Sequence, residues 1–228
     1  LYVYNFNDPD YPEVLYMAGG EGRAFKERIH DLVENMKVLV KTTLDSDAYK
    51  KERDRLVSIV EQEENHSISE FEAKLAGEGF QIVHVQQDEQ EISDIAPVYG
   101  GELTAFDELQ DLVSRGELSE AEWNRLRERY YELMDEMSRL FMELREARNA
   151  LEDEIERLKE EMVRPGVEEA ADSIAELYDD EKVKAYLERL KADIVAHLFL
   201  FLKEQPKDNQ GNPSLIRYGV NVLVDNSH

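Results

Sequence analysis

The apolar positions of this chain recur at helical spacing over three long stretches, and the longest runs from Ser119 to Val163. There Leu126, Tyr130, Leu133, Met137, Leu140, Leu144, Ala147, Leu151, Ile155, Leu158 and Met162 follow one another in steps of four and three. Such steps hold a stripe to one side of a helix and call for a partner helix. Two fours are adjacent only at Ala147–Leu151–Ile155, a stutter that locally unwinds a supercoil. Ser119-Glu120-Ala121-Glu122 opens the stretch as a capping box, and Arg164-Pro165-Gly166 is expected to stop it. A helix of that length is a rod of about 65 Å.

Before it, a first helix is expected from Arg23, with Phe25, Ile29, Leu32, Val33, Met36 and Val40 on one face. Thr42 to Ser46 interrupts the pattern, and Ser46 caps a second helix carrying Tyr49, Leu56, Val60, Ser67, Phe71 and Leu75 as far as Gly77 and Gly79. This second helix is the natural antiparallel partner of the 119–163 stripe. Between them the period changes. Phe80 to Val85 alternates like a strand, Ile92 to Tyr99 returns as another, and Leu103 to Val113 reads as a short helix capped by Thr104. After Gly166 come a short helix (167–178) and a longer one from Asp180 to Glu204, whose apolar residues extend nearly all round through Phe199 and Leu200.

The two ends read as strands: Leu1 to Phe6, closed by Asn7-Asp8-Pro9, with a second short run at Val14 to Met17, and Arg217 to Val224. A few strands with open edges do not make a stable sheet. The chain is therefore expected to be a piece of a larger α/β protein, with the N-terminus a cut. The fold class expected is mainly α: a long antiparallel coiled-coil hairpin with a small α/β cap at its tip and a few terminal strands of an incomplete sheet. The divisions are 1–22 with 205–228 for the strands, 23–79 with 117–163 for the long helices, 80–116 for the cap, and 164–204 for a helical segment at the base.

Charge narrows the partners. A net charge of −25 repels a phosphate backbone, so nucleic-acid binding is not expected. With no cysteine there are no disulfides and no thiolate metal sites, which suits the cytoplasm. The longest apolar run, Ile194 to Leu202 broken by His197, is too short to span a bilayer, so no membrane partner is expected.

Candidate chemistry is sparse. Glu-x-x-His occurs at Glu27/His30 and Glu63/His66, a spacing used in ferritin-like di-iron bundles. At about 100° per residue, Glu27 and His30 fall opposite the apolar face of their helix, which favours a solvated face over a metal site. The glycine turn Ala18 to Gly22 before Arg23 and Lys26 could hold an anion on backbone amides, but it lacks the Lys-Ser/Thr pair of a P-loop; a turn that aims the helix is the favoured reading. Val222-Leu223-Val224-Asp225 has the form of a strand ending in a magnesium-binding Asp, without an acidic residue after it. G-x-S-x-G and H-E-x-x-H are absent, so no catalytic, cofactor or metal residue is assigned. His197 reads as a satisfied core residue. Tyr16 and Met17, beside the glycine turn, could grip a partner polypeptide, with packed core the favoured reading of such a pair on its own.

The ends also carry a resemblance. Tyr2 to Pro9, Pro12, Leu15 to Ala18 and Gly19 to Gly22 resemble the segment after the nucleotide-binding loop in a branch of Lon-like ATP-dependent proteases. Arg217 to Ser227 resembles the strand that resumes the ATPase core there, and a long acidic helical insertion lies between the two, as in this chain. The resemblance implies an AAA-type core for the terminal strands and a ring-shaped parent with a Ser-Lys peptidase dyad, using ATP and Mg. It implies no cofactor for the present residues, since the phosphate loop would precede Leu1 and the dyad would follow His228. Unfolded or damaged polypeptides and the other ring subunits are the partners it implies, with the loop bearing Tyr16 and Met17 facing an axial pore. On that view the chain is an insertion for substrate capture or gating, not catalytic alone. The alternatives from other classes are a coiled-coil scaffold or adaptor and, behind it, a ferritin-like di-iron protein.

Overall fold

The computed structural model describes residues 1–87, 90–202 and 214–223, with the backbone alone at 85–87, 90–92 and 214. The chain is mainly α-helical with a few short antiparallel strands. It divides into two compact units, one of Leu1–Asp54 with Glu154–His228 and one of Arg55–Asp153. Two long helices, α2 (Asp47–Gly77) and α4 (Glu120–Ala175), contribute to both.

In the first unit β1 (Tyr2–Val3) and β2 (Glu13–Val14) form an antiparallel pair, far shorter than the strand expected over Leu1 to Phe6. The chain leaves β1 through a turn in which Asn5 Oδ1 accepts from the Asn7 and Asp8 N–H groups. Helix α1 (Glu21–Asp45) then buries Phe25, Ile29, Leu32, Val33, Met36 and Val40, the face its periodicity predicts. Ser46 ends it and starts α2: its Oγ donates to the Thr43 carbonyl at 2.6 Å and accepts from Tyr49 N–H at 3.2 Å.

Three expectations fail in this unit. Pro165-Gly166 does not stop the long helix; α4 runs through it to Ala175. Pro165 removes the bond to the Glu161 carbonyl, yet Val163, Val167, Ala171 and Ile174 continue the buried stripe across it. Burial against α1 outweighs the local penalty. Gly166 allows the approach, since a Cβ there would stand 2.8 Å from Leu39 Cδ1. The segment after α4 is shorter than expected too. Asp180 caps α5 (Glu181–Ala196) by accepting from the Lys182 and Val183 N–H groups, and the helix breaks at His197. A single turn, α6 (Phe199–Leu202), follows. The break lets Leu198, Leu200 and Phe201 all face the core, which one continuous helix could not do, and leaves Phe199 exposed. Lastly, the strand expected from Arg217 begins as a 3₁₀ turn, Ser214–Tyr218, and among the described residues after it Asn221 alone bridges to Tyr2; Val224 lies outside them. Asp225 lies outside the described residues.

In the second unit the carboxyl half of α2 and the amino half of α4 pack around Phe71, Leu75, Leu133 and Met137. Ion pairs Glu64–Arg148 and Lys74–Glu136 cross between them, with Glu78–Arg129 just past the end of α2, and their numbers run in opposite directions, as an antiparallel pair requires. The predicted hairpin is present as β3 (Phe80–Gln87) and β4 (Gln90–Tyr99). A third strand, β5 (Glu102–Leu103), was not expected; Gly100 and Gly101, with φ of 62° and 89°, make the tight turn into it. Thr104 consequently does not cap a helix. Its N–H bonds back to Pro97, and α3 (Phe106–Ser114) begins after Ala105 without a side-chain cap. At the start of α4, Ser119 Oγ accepts from Glu122 N–H, half of the predicted capping box. Phe106 stacks edge-on to Tyr130 at 4.9 Å and ties α3 to α4. No helix among the described residues is long and apolar enough to cross a membrane.

Candidate functional site

The segment after β2 alternates in and out. Leu15 is fully buried, Tyr16 is 76% exposed, and Met17 packs half-buried against the core. Gly20, at φ 85°, then turns the chain into α1, which is the role expected of the glycine turn. Beside Tyr16 stands Leu177, 59% exposed, on the loop that leaves α4. Its neighbour Tyr178 is held inward: the ring meets Phe25 edge-on at 5.4 Å and the hydroxyl accepts from Arg28 Nη1 at 2.7 Å. Between the two loops is a cleft of about 400 Å³ whose charged lining residues, Glu21, Asp179 and Asp180, are all acidic. Asp180 is committed to capping α5. The site offers apolar surface with a negative rim.

The residues weighed for other chemistry lie elsewhere. Arg23, Lys26, Glu27 and His30 line a larger cleft between α1 and the segment at Val222 and Leu223, where Glu27 and Asp31 offset the two cations. Glu63 and His66 belong to the second unit, and His66 lies exposed beside Glu70 at 3.3 Å. The two Glu-x-x-His motifs therefore sit in separate units, and no group of three or more ligating side chains occurs among the described residues.

Sequence reasoning missed the main polar hub, Asp193 on α5. Its carboxylate is 9% exposed; Oδ1 accepts from Arg217 Nη2 and Oδ2 from the Tyr218 hydroxyl, each at 2.8 Å. Burial and the Asp193 bond together hold the Tyr218 hydroxyl protonated well above the ordinary tyrosine range. His197 is part of the same hub, with Nδ1 2.8 Å from the Asp193 carbonyl oxygen. Arg217 also lies over the Tyr4 ring at 5.1 Å. Farther along α5, Arg189 Nη2 donates to both oxygens of Glu13 on β2. The hub explains the 3₁₀ turn. Consecutive side chains of a strand point to opposite faces, whereas Arg217 and Tyr218 both reach one carboxylate. The signal was available: an Asp beside Leu190 and Ile194, on an otherwise apolar face, needs a donor.

Residues 1–32 match the family model described as the Lon-like LonC helical domain. The matched span holds β1, β2, Tyr16, Met17 and the first turns of α1. Comparison with curated proteins and with solved structures gives no match.

Proposed function

We propose that this chain is a helical domain of a Lon-like ATP-dependent serine protease, and that it grips polypeptide substrate at Tyr16 and Met17 without catalysing any step. The observation that carries the proposal is that the matched span contains an exposed aromatic residue beside an open, acid-rimmed cleft. A Tyr 76% exposed at a loop between two anchored neighbours contributes little to folding, and aromatic side chains dominate contacts between chains. Leu177 supplies a second apolar surface for the same segment. The parent supplies ATP and Mg chemistry, the peptidase dyad and the ring partners; this chain supplies the contact.

The test places a photo-crosslinking phenylalanine analogue at position 16 of the full-length parent and adds unfolded casein. Label should transfer to casein from position 16 and not from Val38, which is also exposed but lies on α1 away from the cleft lining. Equal transfer from both positions, or none from position 16, rules out the grip. Absence of a downstream Ser-Lys peptidase domain in the parent reading frame would remove the protease assignment itself.

A further inference from the structure

Among the described residues β3 pairs with β4 alone, in a sheet ordered β3-β4-β5, so its outer edge carries backbone groups that face no described strand. Two contacts tell which groups these are. Thr104 N–H donates to the Pro97 carbonyl at 3.0 Å, so the backbone of Pro97 faces β5. Val98 N–H donates to the Gly79 carbonyl at 2.7 Å, so the backbone of Val98 faces the β3 side. Backbone groups alternate sides along a strand. Phe80 lies opposite Pro97, Ile82 opposite Ile95 and His84 opposite Ser93. The N–H and C=O groups of Phe80, Ile82 and His84 therefore point to the open edge, while those of Gln81 and Val83 belong to the ladder with β4.

Phe80, Gln81 and Ile82 at the start of this edge line a groove of about 740 Å³, together with Gly79 and Val98. Its far wall is α2, which contributes Ser69, Ala73 and Ala76, side chains of little bulk, and Glu72. Among the described lining residues Glu72 is the one charge. From this arrangement we infer that the β3 edge takes up an extended, basic segment of another polypeptide as a further strand of the sheet. An unpaired edge is a template for such addition, with main-chain bonds giving affinity and flanking side chains giving preference. Charge selects the occupant. Glu72 and the net charge of −25 favour lysine or arginine beside the bound segment and repel an acidic one. A second copy of this chain is disfavoured on the same ground, since it brings the same −25 and its own Glu72 to the edge. This surface is separate from the cleft at Tyr16 and does not depend on the protease assignment.

The experiment titrates the isotope-labelled full chain with a nine-residue peptide of alternating valine and lysine, following amide exchange and peptide anisotropy. Binding should slow exchange at the Phe80, Ile82 and His84 amides and leave those of Gln81 and Val83, already paired, unchanged. The same peptide with every backbone nitrogen methylated should bind at least about tenfold more weakly, since several main-chain bonds are lost. His84→Pro removes one outward N–H and spares the ladder, so affinity should fall roughly threefold to tenfold. Ala73→Leu fills the groove without touching the strand and should also weaken binding. Equal binding of the methylated peptide, unchanged exchange at the three amides, or no binding would overturn the inference. So would protection of those amides by self-association without peptide.

Discussion

Glu64 and Arg148 are joined side by side across the α2–α4 seam: Arg148 Nε meets Oε1 at 2.6 Å and Nη2 meets Oε2 at 3.0 Å. Glu64 is 8% exposed although it carries a charge, and it stands where the run Val60, Ser67, Phe71 calls for an apolar residue. The Arg148 hydrogen bonds hold its carboxyl below the ordinary value of 4.5. A polar residue at one seam position defines register, since a shift of either helix would leave it unpaired.

The sign of the pH dependence follows from that lowered value. The pair's contribution is complete above pH 4.5 and is lost as pH falls through the folded-state pKa. Urea unfolding between neutral pH and about pH 3 should therefore show a steeper acid loss in the natural chain than in Glu64→Gln. Parallel profiles would mean the pair contributes nothing. Glu64→Leu should be as stable as the natural chain or more so, because Arg148, 67% exposed, returns to water easily.

Pro165 stands exposed inside α4. Pro165→Ala restores the N–H bond to the Glu161 carbonyl and removes the ring from the helix interior. Stability in urea should rise by about 1–3 kcal/mol. A fall would mean that the helix needs the proline's geometry to reach α1.

Tyr130 donates its hydroxyl to Asp94 at 3.0 Å, linking α4 to β4. Burial, and then that bond to a carboxylate, pushes its pKa up to about 12. The folded state thus favours the neutral phenol, a contribution present below pH 10 and lost as pH rises towards 12. Alkaline unfolding followed by circular dichroism should be shallower in Tyr130→Phe, which has no phenol to ionise. An unchanged slope would place the alkaline sensitivity elsewhere.

Asp193→Ala leaves Arg217 and Tyr218 without their acceptor. The expected cost is about 3 kcal/mol, and it should be local as well as global. The Asn221 amide, which donates to Tyr2 at 2.9 Å, should lose its hydrogen-exchange protection before the α1 core does. If Asn221 and the core lost protection together, the hub would not be what holds the C-terminal segment.

Much of the helical organisation was legible because it is written at fixed spacing. The faces of α1, the carboxyl part of α2, α4 and α5, the cap at Ser46 and the β3–β4 hairpin all follow from period and local hydrogen bonding. The exposed Tyr16 was legible as well, as an aromatic beside a glycine turn. What did not show was any pairing between distant residues: Glu64 with Arg148, Asp193 with Arg217 and Tyr218, Glu13 with Arg189. Each joins residues whose approach depends on how elements pack.

By itself, then, the sequence determined which stretches are mostly helix and which face of each is apolar. Only the tertiary structure decided where those stretches end. Pro165 is a helix breaker by local energetics, yet the stripe through Val163, Val167 and Ala171 carries α4 across it. Arg217 to Val224 is β-branched and aromatic, yet a shared carboxylate bends its start into a 3₁₀ turn. In both places a contact between residues remote in sequence outweighs a propensity of a few kcal/mol at most, and such contacts exist only once the chain has folded.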